Sequence, residues 1–298
     1  MVRRSLFRSR FGFGVVAMAA ALIGTAAVSS AAPAPRAIAL PSPINFVSNL
    51  DLECFGTTAY TPPSTGPITL SHLNPVLAGQ PSWTVAGLGP RSQLCSPVAK
   101  NGKIPPSGVL EFVRYIDLSC YRISGPSINL PLVLSHLNPV LIQLPRRQVT
   151  VVLPEQLCVP VIKNDSVPPP EVLRLLQYID LVCYRETPPV SLNTTLQLTQ
   201  LNPVLGSIPP TTVQVTTNRQ LCVPVRKNQQ AIPTDILKIV QWVDLEKFDI
   251  VAPTLPAIDV RLRHVNPLLT GLPIEPATLT SRQQLAIPMA KNGNIPPS

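Results

Sequence analysis

Three histidines, six cysteines, four aspartates and four lysines occupy the positions from which chemistry could come, and nearly all of them recur along the chain. His72, His136 and His264 fill one slot of a string that reads HLNPVL, HLNPVL, QLNPVL and HVNPLL; the third copy places Gln200 there. Glutamine reproduces the hydrogen bonds of an imidazole but not its proton transfer or its role as a metal ligand. We therefore read the slot as a polar side chain that pins the turn before an Asn-Pro step. Asn74, Asn138, Asn202 and Asn266 each precede a proline, a pairing that favours an Asx-type turn.

The aspartates open the strings DLECF (Asp51), DLSCY (Asp117), DLVCY (Asp180) and DLEKF (Asp244), and the lysines close QLCSPVAKN (Lys100), QLCVPVIKN (Lys163), QLCVPVRKN (Lys227) and QLAIPMAKN (Lys291). A carboxylate and an ammonium present in every copy, on segments joined by a disulfide, predict salt bridges from Asp117 to Lys163 and from Asp180 to Lys227. Calcium at the aspartates would need more than one carboxylate per copy, so no metal or other cofactor is expected.

In the first three copies the cysteines fall at Cys54 and Cys95, Cys120 and Cys158, Cys183 and Cys222. The fourth copy holds Lys247 and Ala286 instead, so both members are missing together. Pairing across copies would leave Cys222 facing a lysine and Cys54 orphaned. Pairing within copies leaves no orphan, so the expected bonds are Cys54–Cys95, Cys120–Cys158 and Cys183–Cys222. Zinc is the rival use of these thiols, but the spacing lacks the C-x-x-C form of such sites. The fourth copy, unstapled, is expected to be the least stable and to lean on the third.

Catalysis would need a constellation that occurs once, whereas everything distinctive here occurs three or four times. No G-x-S-x-G appears, and with only 15 acidic residues the recurring ones look structural. We expect no catalytic residues and no enzyme activity.

The elements that must position these residues follow from the period of about 64 residues. We assign repeats to 41–106, 107–169, 170–233 and 234–298. Stretches Gly108–Ile116, Glu171–Ile179 and Asp235–Val243 carry apolar residues on one helical face, with Ser107 and Thr234 as candidate N-caps. D-L-x-C alternates as a strand does. Leu132–Leu134, Val149–Val152 or Val213–Val215, and Leu157–Val161 read as further strands, their prolines placing them at edges or bulges. The expected fold is mainly β: four tandem disulfide-stapled antiparallel β units, each with one short helix, packed as sandwich-like bodies.

The N-terminus carries Arg3, Arg4, Arg8 and Arg10, an apolar run from Phe11 to Val28, then Ser29-Ser30-Ala31. This reads as a secretory signal peptide, 1–31, followed by an Ala/Pro linker, 32–40. A retained anchor is the other reading of the apolar run, and Arg3-Arg4 leaves a twin-arginine route open beside the general one. Export agrees with six cysteines used as disulfides. The formal charge of +9 falls once the four arginines are removed, and the remaining cations are spread out, which argues against nucleic acid as a partner. The last residues, Ile295-Pro296-Pro297-Ser298, form neither an apolar tail nor a sorting motif, so no membrane attachment is expected after signal cleavage.

The pattern D-L-x-C-Y, an apolar strand, then L-C-x-P-V-x-K-N resembles an uncharacterised tandem-repeat domain of bacterial secreted proteins. The resemblance covers essentially the whole mature chain and implies an extracellular β domain with no assigned chemistry. The resulting expectation is a secreted, noncatalytic protein with a structural or binding role at or beyond the bacterial surface, its partner an extracellular protein or envelope component. A protease inhibitor presenting loop 121–135 is the alternative, and an extracellular hydrolase the third.

Overall fold

The computed structural model describes residues 38–298. The expected signal peptide and most of the Ala/Pro linker lie outside the described residues. The first copy runs α1 (Pro43–Val47), β1 (Leu52–Thr57), β2 (Ile68–His72), β3 (Trp83–Val85) and β4 (Arg91–Lys100). The second has α2 (Ser107–Val113), β5 (Asp117–Arg122), β6 (Leu130–His136) and β7 (Arg147–Lys163). The third has α3 (Pro170–Leu176), β8 (Leu181–Thr187), β9 (Ser191–Gln200) and β10 (Thr211–Lys227). The fourth has α4 (Thr234–Val240), β11 (Leu245–Val251), β12 (Ile258–His264) and β13 (Glu275–Lys291).

The helices start one residue earlier than an N-cap at Ser107 or Thr234 requires. The capping residues are Pro106, Pro169 and Pro233, without a side-chain bond. Proline's locked φ holds the chain extended just before the helix, and each proline carbonyl accepts the first helical bond, as from Leu110, Leu173 and Leu237. The two strands expected in the second half of a copy fuse into one, as in β7 and β10, each of 17 residues. Register shifts around Pro154 and around Asn218 absorb the mismatch that would otherwise break them.

The opening and closing strands pair in the cyclic order β1, β4, β5, β7, β8, β10, β11, β13 and back to β1, antiparallel throughout. The sheet thus closes into an eight-stranded barrel, which removes its free edges, and this replaces the expected sandwich-like bodies. A three- or four-stranded unit cannot bury both faces alone; a ring of them can. Positions 52–56 of β1 are all buried, because one face lines the lumen and the other lies under outer strands.

The outer strands bind the copies together. β2 pairs with β10, β9 with β4, β6 with β13 and β12 with β7. Each copy therefore lends a strand to the copy two places along, and receives one back. The fourth copy leans on its neighbours all round the ring, not only on the third. At each exchange a proline in the closing strand gives its carbonyl to the incoming strand: Pro97 to Leu201, Pro160 to Val265, Pro224 to Leu73 and Pro288 to Leu137. A missing N–H costs nothing where the strand changes partner.

All three expected disulfides form, each between residues directly opposite one another on adjacent strands. They face the lumen, where Cys95 Sγ lies 4.0 Å from Cys120 Sγ and Cys158 Sγ 3.6 Å from Cys183 Sγ. The four helices touch in a ring, α1 to α2 to α3 to α4 to α1, and their apolar faces, including Phe46, Phe112, Leu175 and Ile239, join the lumen residues in one core.

Lys247 stands directly opposite Ala286, in the place of the missing cysteine pair. Lys247→Cys with Ala286→Cys should therefore form a fourth disulfide. Relative to the corresponding double serine variant, the oxidised form should gain about 4 kcal/mol in the chain-entropy model, read from denaturant midpoints. A free-thiol assay that finds two reduced cysteines in the folded variant would contradict the placement.

Candidate functional site

The recurring polar residues converge on four buried clusters where the helix ring meets the barrel. Each aspartate leads out of a helix into an opening strand, and each lysine ends the closing strand beside it. Asp51 accepts from Lys100 Nζ at 2.5 Å on one oxygen and from Asn138 Nδ2 at 2.5 Å on the other. Asp117 does the same with Lys163, at 2.5 Å, and Asn202, at 2.6 Å, and Ser96 Oγ bridges the lysine and the carboxylate. Asp180 binds Lys227 and, at 2.7 Å, Asn266. Asp244 pairs with Lys291 and, at 2.6 Å, with Asn74. The lysine comes from the same copy and the asparagine from the next, so the clusters run cyclically around the ring.

Every lysine in these clusters is 1% exposed. Burial pushes each aspartate up and each lysine down, and the partner's charge pulls both back. Asp244 is pushed up to about 6. The asparagine oxygen is engaged too: it accepts from the backbone N–H two residues on, at Val76, Val140, Val204 and Leu268, which makes the Asx turn that Asn-Pro suggests. The asparagine after each lysine has a separate duty. Asn101, Asn164, Asn228 and Asn292 take positive φ, and their side-chain oxygens accept from Gln197, Arg261, Thr69 and Val133 across the strand exchange.

A second set of polar groups lies between the barrel and the outer strands. The histidine slot of one copy rests on the aromatic of D-L-x-C-Y/F from the copy two places along. His72 meets Tyr184 Oη at 2.9 Å, with the Trp83 ring tilted against both. His264 Nε2 lies 3.1 Å from Tyr121 Oη and 2.9 Å from Glu275, which also binds Arg91 at 3.0 Å. Gln200 binds Glu53 at 2.5 Å, and Arg282, which lies over the Phe55 ring, holds the same carboxylate at 2.7 Å. His136 stacks on Phe248 and has no hydrogen-bond partner on either nitrogen. His72 and His264 thus bind tyrosines from the copy two places along, which a single string does not reveal.

Near Arg147 the fold brings together two carboxylates from different copies, Glu186 and Glu246, a pairing that no single string reveals. Glu246 is held by Arg147, and Glu186 is pushed up to about 10 by burial and by the charge of Glu246. Glu186 is therefore a neutral acid near pH 7. Its oxygens are closed off from solvent, beneath a surface pocket that Glu186 lines with Glu155, Arg185, Asn218 and Arg219. Lys247 is likewise enclosed. Its Nζ crosses the lumen to Gln156 at 2.7 Å and Gln93 at 3.0 Å, and burial pushes it down to about 7. Among the described residues no group of three His, Cys, Asp or Glu side chains is placed to hold a metal ion, and no helix is long and apolar enough to cross a membrane.

No family model matches the chain, and no curated protein or solved structure does.

Asp117→Ala should leave Lys163, Ser96 and Asn202 buried without their shared acceptor and lower stability by about 3–5 kcal/mol. Arg174→Ala, which removes an exposed ion pair, should change the denaturation midpoint little. Equal effects would show that the clusters carry no special weight. The histidines supply a pH test. Burial holds His72 at about 4 and His136 at about 3, below the 6.5 of an unfolded chain. Their contribution is whole above about 6.5 and is lost as pH falls through those values. His136→Gln puts in that slot the residue that reaches Glu53 from position 200, with Glu246 in the matching place. The stability difference between wild type and His136→Gln should move in the variant's favour between pH 6.5 and 4; a pH-independent difference would refute the assignment.

Proposed function

We propose that the chain is a noncatalytic exported scaffold, built of four tandem repeat units at 41–106, 107–169, 170–233 and 234–298, that binds an extracellular protein or envelope component through its outer loops. One observation carries this reading: the polar residues common to the copies are engaged by the fold itself, the aspartates, lysines and Asn-Pro asparagines in buried clusters and the exposed Asn101, Asn164, Asn228 and Asn292 across strand exchanges. The three disulfides are consistent with an extracellular setting.

The outer surface offers a groove of 570 Å³ between the loop Ser207–Thr212 and the loop Pro253–Ile258. Pro209, Pro210, Pro253 and Pro256 stiffen its rim, so little conformational freedom is lost when a partner docks. The loop considered for protease inhibition lies down along β7 instead of projecting. Ile123 donates to Glu155 at 3.0 Å and Ile128 to Val152 at 2.9 Å, and Gly125 sits where a Cβ would come within 2.5 Å of Trp83 Nε1. This favours the scaffold over the inhibitor.

The purified chain should bind isolated cell envelopes saturably, and Thr212→Glu with Thr254→Glu, at exposed positions of the groove, should weaken that binding at least tenfold without shifting the thermal midpoint. Turnover of a peptide, ester or glycoside that one substitution abolishes would overturn the noncatalytic reading.

A further inference from the structure

We propose that the four buried clusters are sites of self-catalysed crosslinking, in which the lysine amine forms an amide with the side-chain carbonyl carbon of the asparagine, joining Lys100 to Asn138, Lys163 to Asn202, Lys227 to Asn266 and Lys291 to Asn74.

The argument begins with what one carboxyl group holds. In the first cluster Asp51 Oδ1 lies 2.5 Å from the Lys100 amine and Oδ2 lies 2.5 Å from the Asn138 amide nitrogen. In the second, Asp117 holds Lys163 and Asn202 in the same way. The two oxygens of one acid thus face a nucleophile and a leaving group. The remaining atom of the acceptor, Asn138 Oδ1, takes a hydrogen bond of 2.9 Å from the Val140 backbone N–H, as Asn202 does from Val204 at 2.9 Å. A fixed N–H at that oxygen is where negative charge would develop when the carbonyl carbon is attacked.

The step balances without any further reactant. The lysine amine attacks the asparagine carbonyl carbon, and the electron pair of the C=O moves onto the oxygen that the backbone N–H holds. Asp51 takes a proton from the attacking nitrogen at Oδ1 and returns one to the departing nitrogen at Oδ2. The oxygen's electron pair re-forms the C=O, the C–N bond of the old amide breaks, and one ammonia leaves for each amide made. The aspartate ends as it began. Its own carbon is not the acceptor, because consuming it would remove the only acid in contact with the amine.

Three further features serve this chemistry. The amine must be neutral to attack, and burial in these clusters favours amine and acid over ammonium and carboxylate. Water, the competing nucleophile, is excluded, since the lysines are 1% exposed. The residue after each asparagine is proline, whose nitrogen carries no hydrogen, so attack by the following backbone nitrogen on the same carbon is closed. The bonds would also account for burying four ion pairs in one small barrel, an arrangement that in noncovalent form contributes little net stability. They would link each copy to the next, and Lys291 with Asn74 would close the ring.

The test is intact-mass spectrometry of the exported chain, reduced and denatured, followed by peptide mapping. The expected result is a deficit of about 17 Da for each bond, up to four, with branched peptides joining Lys163 to Asn202 and its counterparts. Lys163→Met should remove one such deficit and one branched peptide. Because the wild-type mass decides the matter, a variant that fails to fold does not rescue the proposal. A mass equal to that of the uncrosslinked sequence overturns it. So does a deficit of about 18 Da per bond with lysine joined to aspartate, the loss of water.

Discussion

Four buried carboxylates set the terms for everything else in this barrel. An aspartate without solvent must find donors for both oxygens, and here each finds a lysine from its own copy and an asparagine from the next. The lysine fixes where the closing strand ends; the asparagine fixes where the outer strand turns. Because the asparagine belongs to a different copy, satisfying one carboxylate places the neighbouring copy, and four such placements close a ring. The helix ring above and the cross-strand disulfides below lie on either side of this polar belt and share its register.

The lumen shows what happens when one copy departs from the pattern. Two cysteines directly opposite one another form a compact cross-strand pair, and losing one alone would leave a buried thiol with no partner. The fourth copy loses both and gains Lys247 and Ala286. A small residue opposite a long one roughly restores the filled volume, at the cost of a buried amine. The cost is met by the glutamines of the Q-L-C strings: Gln93 and Gln156 face the lumen and present their oxygens to Lys247. The substitution reaches across the barrel to two other copies, so the fourth copy is not an independent module that happens to lack a staple.

Much of this was legible in the sequence, and the division between legible and hidden has a physical origin. Contacts within one copy could be read, because a residue and its partner change together in the same string. The disulfides, the pairing of Asp117 with Lys163 and the Asn-Pro turns are of this kind. Contacts between copies could not, because nearly identical strings say which residue types meet without saying whose. The aspartate's asparagine, the histidine's aromatic and the exchanged strands all fall in that class. With those links hidden, sandwich-like bodies were a natural expectation, and the closed ring was not. The capping prolines were missed for a local reason: a serine beside a proline draws the eye as a cap, yet the proline's extended backbone had already fixed the helix start.

The chambers between barrel and outer strands hold the remaining variety, and they argue about what the repeats were free to change. One is aromatic, with His72, Trp83 and Tyr184; one carries Glu275 with Arg91, His264 and Tyr121; one sets Glu53 against Arg282 and Gln200; one joins Glu186 and Glu246 beside Arg147 and His136. Each buried acid that faces a cation has one within reach, and where a hydroxyl is absent, as at Phe55 and Phe248, a charged residue from a third segment enters. The polar content of these chambers is therefore a set of local repairs to a shared frame. Glu186, kept protonated by burial and by the charge of Glu246, is the least complete of them. Its oxygens lie out of solvent beneath a surface pocket that Glu155, Arg185, Asn218 and Arg219 also line. What the frame leaves free to vary at low cost is the loops that join the outer strands, which carry the proline-lined groove.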